Sequence, residues 1–249
     1  MSFCKDCVSG VRHEGTAEGK IEKIGGVECY VATPSVDYPK DKVILFLTDV
    51  FGIPLNNNKL LADDFARNGF KVVVPDILAA DPISDADLNS GKVDFAAWFS
   101  KHPDESWKNP VDAVVAALKE QGVTRFGTTG YCFGAPPAFY LALKNESHAT
   151  VVAHPSRLKV PEDLEKYKAE SKAPLLINSC EVDTQFPKES QAVADEILGE
   201  GKFAPGYVRN YYDGCTHGFA VRGDLSNPKV KAGKEGAFTS TVEFFLKHL

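Results

Sequence analysis

Short apolar runs alternate with longer segments of helical periodicity along almost the whole chain. The run KVILFL at 42–47 is apolar after its first residue, and the segment at 57–68 repeats apolar residues at helical spacing before Gly69. A strand that is apolar on both faces is typical of a parallel sheet covered by helices on both sides. The alternation therefore predicts an α/β fold: a mostly parallel central sheet with helices on both faces.

The same pattern assigns the remaining elements. Strands are expected at 27–33, 42–47, 71–75, 125–132, 149–155, 173–179 and 206–212. Helices are expected at 57–68, 93–100, 109–122, 135–144, 188–199 and 235–249. Two polar stretches, 79–91 and 156–172, are expected to be surface excursions, and the alternative for the first is a loop near a site. Because no linker or repeat interrupts the alternation, we expect residues 1–249 to form a single domain with an N-terminal extension over 1–25.

Charge and hydropathy exclude several classes of partner. Lys plus Arg number 28 and Asp plus Glu 34, a formal charge of −6, and no basic cluster suggests nucleic acid. The start of the chain lacks the apolar region of a secretory signal. The most apolar stretch, VILFLTDVFGIPL, is interrupted by Asp49 and is too short to span a membrane. We expect a soluble cytoplasmic protein with no membrane partner, whose cysteines are reduced thiols.

One motif suggests a nucleophilic cysteine. The sequence TTGYCFGA at 128–135 holds Cys132 between two glycines, after a predicted strand and before a predicted helix. This is the setting of a nucleophile elbow, in which glycines permit a sharp turn that exposes the nucleophile. A helix N-terminus behind the sulfur favours the thiolate. On the motif alone two interpretations stay open: a catalytic nucleophile, or a small buried cysteine with glycines needed for packing.

If Cys132 lies on a nucleophile elbow, two further catalytic residues should follow it in the chain. In α/β-hydrolases an acid and then a histidine follow the nucleophile, each on a loop after a strand. Asp183 and His217 occur in that order, after the predicted strands at 173–179 and 206–212. Glu181 is an alternative acid, although Asp183 lies farther out on its loop. His154 also follows a strand and either lines the pocket or is a structural histidine bonded to a loop.

The remaining cysteines have weaker interpretations. Cys4 and Cys7 form one CxxC pair, but no second Cys/His pair follows at zinc-finger spacing, so no metal or cofactor is expected. Cys180 and Cys215 lie near the presumed site in sequence and are taken as bystanders that could form a mixed disulfide on oxidation.

Two related enzyme classes fit less well. Class I glutamine amidotransferases share the cysteine elbow but carry a glutamate two residues after the histidine, where this chain has Phe219. A serine esterase would need G-x-S-x-G, which is absent from the sequence.

From about residue 26 to its end the chain resembles the dienelactone hydrolases, a branch of the α/β-hydrolases. The matching segments are TDVFGI, VVVPD, GYCFGA, DTQFP and HGFAVR. The resemblance implies an α/β-hydrolase fold in which Cys132 is the nucleophile, His217 the base and Asp183 the residue that orients the histidine. The segment CKDCVSGVRHEGTAEGK is similar to the N-terminus of eukaryotic members.

The resemblance also implies roles around the nucleophile. Asp49 matches an acidic residue that modulates the thiol, usually a glutamate in the family. The N–H groups of Val50 and Phe133 match an oxyanion hole. Arg222 lies one residue from the position of an arginine that binds the substrate carboxylate in bacterial members. A second such arginine has no counterpart, because residues 76–110 contain none, and the substrate stays open.

These observations predict a hydrolase of a small ester or lactone that works through a thioester on Cys132. Two alternatives use the same fold: a ligand binder without turnover, and a thiol sensor whose exposed cysteine is oxidised. The oligomeric state is not indicated by the sequence.

Overall fold

The computed structural model describes residues 10–249 and contains a single eight-stranded sheet within that range. The strands are β1 Lys20–Ile24, β2 Val27–Ala32, β3 Lys42–Leu47, β4 Lys71–Pro75, β5 Arg125–Tyr131, β6 Ala149–Ala153, β7 Leu175–Val182 and β8 Tyr207–Thr216. Their order across the sheet is β1-β2-β4-β3-β5-β6-β7-β8. The pairs that join β1 to β2 and β2 to β4 are antiparallel, and all the others are parallel.

Helices connect the parallel strands and cover the sheet. They are α1 Asn56–Arg67, α2 Asp85–Asn89, α3 Phe95–Lys101, α4 Asp104–Glu120, α5 Ala135–Leu143, α6 Glu162–Glu170, α7 Lys188–Leu198, α8 Phe219–Arg222 and α9 Pro228–His248. One buried cluster contains the apolar faces of α4 to α7, and a second contains those of α1, α8 and α9. The predicted α/β fold with helices on both faces of the sheet is confirmed.

The burial of β3 on both faces explains why its sequence is apolar after the first residue. Val43, Leu45 and Leu47 belong to one buried cluster, whereas Ile44 and Phe46 belong to the other. Successive side chains of a strand point to opposite faces, so a strand with helices on both sides must be apolar at every position. This burial holds the carboxyl end of β3 rigidly beside that of β5, its parallel neighbour.

Four elements were not expected from the sequence, and one of them is α8, a short helix that begins two residues after His217. Strand β1 is almost fully exposed, so it has no hydrophobic pattern, and only backbone pairing with β2 defines it. Helix α2 lies within the stretch expected to be a surface excursion at 79–91, and the Ser84 side chain caps it. Helix α6 lies within the other such stretch, 156–172, and its buried residues are Leu164 and Tyr167. Neither helix was predicted, because both are too short to carry a clear apolar stripe.

Two helices begin earlier than predicted. Helix α4 starts at Asp104 and continues through Pro110, although the sequence predicted that Pro110 would lie in its first turn. Helix α9 starts at Pro228, where the side chain of Asn227 accepts a hydrogen bond from the Lys229 N–H. Proline in the first turn and a capping asparagine are ordinary helix-start signals, and at α9 they outweigh the polar composition of the first turns.

The described part of the N-terminal extension packs against the domain. Arg12 donates from its backbone N–H and its Nε to the two carboxylate oxygens of Asp64 on α1, both at 2.6 Å. Strand β1 also lies within the 1–25 extension, so this segment is part of the sheet from residue 20 onwards. The CxxC pair of Cys4 and Cys7 lies outside the described residues. No helix within 10–249 combines the length and apolar character needed to cross a bilayer.

Candidate active site

The cysteine between glycines lies on a strand–turn–helix junction. Strand β5 ends at Tyr131, the residues Cys132–Gly134 form one turn of 3₁₀ helix, and α5 begins at Ala135. Cys132 has a backbone φ of 50°, in the left-handed region that non-glycine residues rarely adopt. Such strain is found where the surrounding structure imposes it, typically at functional sites.

The flanking glycines are required by close backbone contacts. A Cβ on Gly134 would lie 2.0 Å from the carbonyl oxygen of Leu47, at the end of β3. A Cβ on Gly130 would lie 2.3 Å from the carbonyl oxygen of Gly134. Neither obstacle is a flexible side chain, so any larger residue would force the turn away from the sheet. The two glycines therefore determine how closely Cys132 approaches the end of β3.

A serine lies beside the nucleophile candidate. The Oγ of Ser156 is 3.6 Å from the Sγ of Cys132, and the Ser156 N–H donates to the Cys132 carbonyl at 3.1 Å. Ser156 is buried and the cysteine is half-buried. Ser156 was not predicted as a site residue, because 156–172 was expected to lie at the surface. Its position three residues beyond the strand ATVVA was the available signal.

The acidic residue is held by several donors. Oδ1 of Asp183 accepts hydrogen bonds from the N–H groups of Gln185 at 2.8 Å and Phe186 at 3.1 Å. The same oxygen lies 2.9 Å from Nδ1 of His217. Glu181, the alternative acid, instead accepts from the N–H of Gly214 at 2.8 Å. The structure thus brings Asp183, rather than Glu181, to the histidine.

His217 joins the acid to the cysteine. Its backbone N–H donates to the carbonyl of Val182 at 3.0 Å, which fixes the loop after β8 against the end of β7. Burial alone would lower the pKa of the imidazole, but hydrogen bonds and charge interactions with Asp183 and Cys132 raise that pKa to about 10. A protonated imidazole between a carboxylate and a thiol can both stabilise a thiolate and donate a proton.

These three side chains open onto a cavity of about 370 Å³. Its apolar wall includes side chains from the β3–α1 loop and from the α2–α3 region. The lining residues are Asp49, Val50, Phe51, Leu88, Phe95, Phe99, Cys132, His154, Ser156, Thr184, Gln185, His217, Gly218 and Arg222. A mostly apolar cleft of this size with a few polar groups suits a small organic molecule.

The predicted oxyanion-hole residues come from two different loops. Val50 follows β3 and lines the cavity. Phe133 follows Cys132 directly, and its ring is buried with its centroid 5.5 Å from that of Trp98. The part of Phe133 that adjoins the cysteine is therefore its backbone.

The remaining two predicted residues interact with each other at the edge of the cavity. The Asp49 carboxylate accepts hydrogen bonds from the Phe51 N–H at 3.2 Å and from Nδ2 of Asn58 at 3.0 Å. Its second oxygen lies 3.8 Å from Nε of Arg222. The guanidinium carbon of Arg222 is 4.2 Å from the centroid of the Phe51 ring. A cation and a carboxylate thus share this end of the cavity.

His154 lies on the cavity wall, in agreement with the first of its two interpretations. Among residues 10–249 neither of its ring nitrogens has a hydrogen-bond partner, so it is not bonded to a loop as the second interpretation required. Desolvation and the nearby charges of His217 and Arg222 lower the pKa of His154 well below its ordinary value. Its imidazole is therefore neutral.

The other described cysteines are buried. Burial raises the pKa of Cys29 to about 12, and it raises the pKa values of Cys180 and Cys215 as well. Such thiols react slowly, whereas Cys132 is half-exposed. Within 10–249 no group of three or more His, Cys, Asp or Glu side chains is arranged to hold a metal ion.

A mostly parallel sheet with a cysteine on the turn after β5, and an acid and a histidine on the loops after β7 and β8, defines an α/β-hydrolase. Comparisons with known proteins identify the branch. The model of the dienelactone hydrolase family matches residues 27–249, and the chain belongs to that family. It is accordingly a carboxylic ester hydrolase, of a family whose substrates are small lactones and esters.

Individual relatives match over nearly their whole length. The hydrolase pyvD of Aspergillus violaceofuscus is 33% identical over 248 residues, which cover 98% of this chain and 96% of the relative. Dienlactone hydrolase 1 of Gibberella moniliformis is 31% identical and covers 96% of this chain and 91% of the relative. The crystal structure of P91, a dienelactone hydrolase-like promiscuous phosphotriesterase from metagenomic libraries, aligns with a TM-score of 0.66 at 19% identity. This alignment spans 94% of this chain and 98% of P91, and supports the fold.

Proposed function

We propose that the protein hydrolyses a small ester or lactone through a thioester on Cys132, with His217 as acid and base and Asp183 as the residue that orients the imidazole. The observation that carries this proposal is the arrangement of His217. Its Nδ1 lies 2.9 Å from the buried Asp183 carboxylate, and the same ring lines the cavity together with Cys132, whose interaction with it contributes to the raised pKa of the imidazole. We propose further that the single domain formed by residues 1–249 carries the whole activity.

In the first half-reaction the Cys132 thiolate attacks the carbonyl carbon and forms a C–S bond. The resulting oxyanion accepts hydrogen bonds from the N–H groups of Val50 and Phe133, where the loss of one donor typically costs ~10²–10³ in rate. The C–O bond then breaks, and the His217 imidazolium gives its proton to the leaving oxygen. A lactone opens and remains attached as the thioester, whereas an ester releases its alcohol.

In the second half-reaction neutral His217 removes a proton from a water molecule, and the hydroxide attacks the thioester carbonyl. The C–S bond breaks and the acid is released. The proton taken from water remains on the imidazole, so the thiolate–imidazolium pair is restored. Asp183 keeps the ring in one orientation through both halves, and the ordered Gln185 and Phe186 N–H groups keep its carboxylate in place.

The cavity supports a small substrate with an apolar body and one polar end. Leu88, Phe95 and Phe99 supply apolar contact, and Arg222 contributes a positive charge to the same lining. We propose that Arg222 binds a polar or anionic substituent, with Asp49 holding the guanidinium beside the nucleophile. Arg222→Met should then raise KM for a carboxylate-bearing dienelactone and leave KM for p-nitrophenyl acetate nearly unchanged.

The thiol-sensor alternative has less support. A sensor cysteine is commonly paired with a second thiol that resolves its oxidised form. Cys180 and Cys215 are fully buried, and the raised pKa of each disfavours a thiolate. Iodoacetamide should therefore alkylate Cys132 well before Cys29, Cys180 or Cys215.

The test is hydrolysis of p-nitrophenyl acetate and a dienelactone by wild type and Cys132→Ala, with intact-mass detection of an acyl adduct. We expect wild type to turn over, Cys132→Ala to be inactive and the adduct to disappear with the sulfur. Cys29→Ala is the matched control, because it removes a buried thiol on β2, outside the cavity lining. If Cys132→Ala retained wild-type turnover, Cys132 would not be the nucleophile. If wild type reacted with peroxide but showed no multiple turnover, the sensor would replace the hydrolase.

A further inference from the structure

His154 is held in an unfavourable conformation at the end of a central strand. It follows β6 directly, and its backbone N–H donates to the carbonyl of Asn178 on β7 at 2.8 Å. Its φ of 38° lies in the left-handed region. Backbone strain of this kind persists only where the neighbouring structure imposes it.

The side chain of His154 is fully buried, yet it lines the cavity. Its ring packs edge-on against His217, with centroids 5.0 Å apart, and against Phe219 at 5.6 Å. Neither ring nitrogen has a hydrogen-bond partner among the described residues. A buried polar group without a partner lowers stability, so an imidazole that serves only the fold would normally be bonded or replaced by an apolar residue.

Burial and the neighbouring charges keep the ring neutral. Desolvation lowers the pKa of His154 most, and the charges of His217 and Arg222 lower it further. A neutral imidazole offers one N–H donor and one lone-pair acceptor. A hydroxyl group is the small substituent that can both accept and donate, so it pairs with either tautomer.

We infer that His154 is a specificity-determining residue that hydrogen-bonds a hydroxyl group of the substrate beside the reacting carbonyl. The inference rests on the proposed function for the identity of the cavity as the substrate site. His154 is not itself the base, because His217 already bonds the acid and lines the same cavity as the sulfur. A site that hydrogen-bonds a hydroxyl discriminates against the analogue that lacks it, since binding the analogue leaves the protein group unpaired.

Binding without turnover gives the direct test. Dihydrocoumarin and its six monohydroxy derivatives, which include the one with the hydroxyl group next to the carbonyl, are titrated calorimetrically into Cys132→Ala, and into the same variant carrying His154→Phe. One neutral hydrogen bond corresponds to a preference of roughly fivefold to tenfold. We expect at least one hydroxylated isomer to bind Cys132→Ala by this factor more tightly than the parent lactone. The preference should disappear with His154→Phe while binding of the parent is kept. His154→Leu serves if the Phe variant does not fold.

Three results would overturn the inference. One is that no hydroxylated isomer binds better than the parent, and another is that the preference survives His154→Phe. The third is a fall in both Tm and parent binding on His154→Phe, which would make His154 a structural residue bonded through water. Replacing an unpaired buried imidazole by a ring of similar shape should instead leave Tm unchanged or higher.

Turnover of the same lactones by wild type separates this inference from the proposed function. Hydrolysis without a hydroxyl preference would contradict the role of His154 and leave the proposed hydrolase activity standing. A binding preference that depends on His154, without hydrolysis, would support the role of His154 and contradict the proposed activity.

Discussion

Gly134→Ala tests the geometry of the elbow directly. The added Cβ would lie 2.0 Å from the Leu47 carbonyl oxygen and 3.0 Å from that of Thr48, whereas an ordinary contact begins at 3.4 Å. The two backbones must therefore separate by about 1.4 Å, the difference between 3.4 and 2.0 Å. These are the backbones that lead to Val50 and to Phe133, so the substitution pulls apart the two proposed oxyanion donors.

Both stability and rate should fall. Overpacking by one carbon typically costs about 1–3 kcal/mol, which for a chain of this length lowers Tm by roughly 2–12 °C. A displacement of about 1 Å in a catalytic group can cost ~10²-fold in rate. We therefore expect kcat to fall by about 100-fold or more, a larger effect than the loss of folded protein at 25 °C explains.

The assay combines thermal unfolding with hydrolysis of p-nitrophenyl acetate under conditions where the variant is fully folded. Gly10→Ala is the control, because Gly10 is exposed and a Cβ there would meet no atom within 4 Å. The control should match wild type in Tm and kcat. If Gly134→Ala also matched wild type in both, the close approach of the elbow to β3 would be wrong, and the oxyanion-hole proposal would lose its geometric basis.

Three further predictions concern charge. Asp183→Asn should lower kcat by roughly 10³–10⁴-fold because the imidazole loses its orienting carboxylate, whereas Glu181→Gln should keep most of the activity. Since the folded pKa of His217, about 10, exceeds its unfolded value, protonation stabilises the fold fully below about pH 6.5 and ceases to do so as pH rises through 10. The Tm difference between wild type and Asp183→Asn should therefore shrink from pH 6.5 to 10, and a constant difference would contradict the ion pair. Arg12→Met should lower the free energy of unfolding by about 3–5 kcal/mol in urea, because it leaves a buried carboxylate unpaired. The exposed Lys40→Met should change it by less than about 1 kcal/mol.

The core of the fold followed from periodicity. Each strand predicted between residues 27 and 212 is present. In β3, β4 and β6, burial on both faces forces the continuous apolar run that identified them. The exposed strand β1 and the short helix α6 were missed, because backbone pairing defines the first and only two buried residues anchor the second. Neither constraint leaves a periodic signal in the amino-acid sequence.

Some residues of the candidate site could also be predicted from the sequence, and others could not. Cys132, Asp183 and His217 could be proposed because each follows a predicted strand, and parallel strands bring their carboxyl ends to one edge of the sheet. Ser156 and the unpaired His154 could not be assigned, although both follow β6. Whether a polar side chain is bonded to a loop or faces a cavity depends on what packs around it.

The sequence by itself determined the layered α/β architecture and the order in which nucleophile, acid and histidine candidates occur, since both depend on local periodicity and on spacing relative to strands. Only the tertiary structure decided which carboxylate reaches the histidine, how closely Gly134 meets β3 and which groups line the cavity. Those outcomes depend on distances between segments far apart in the chain. Packing of the whole sheet and its helices sets such distances, and no single segment encodes them.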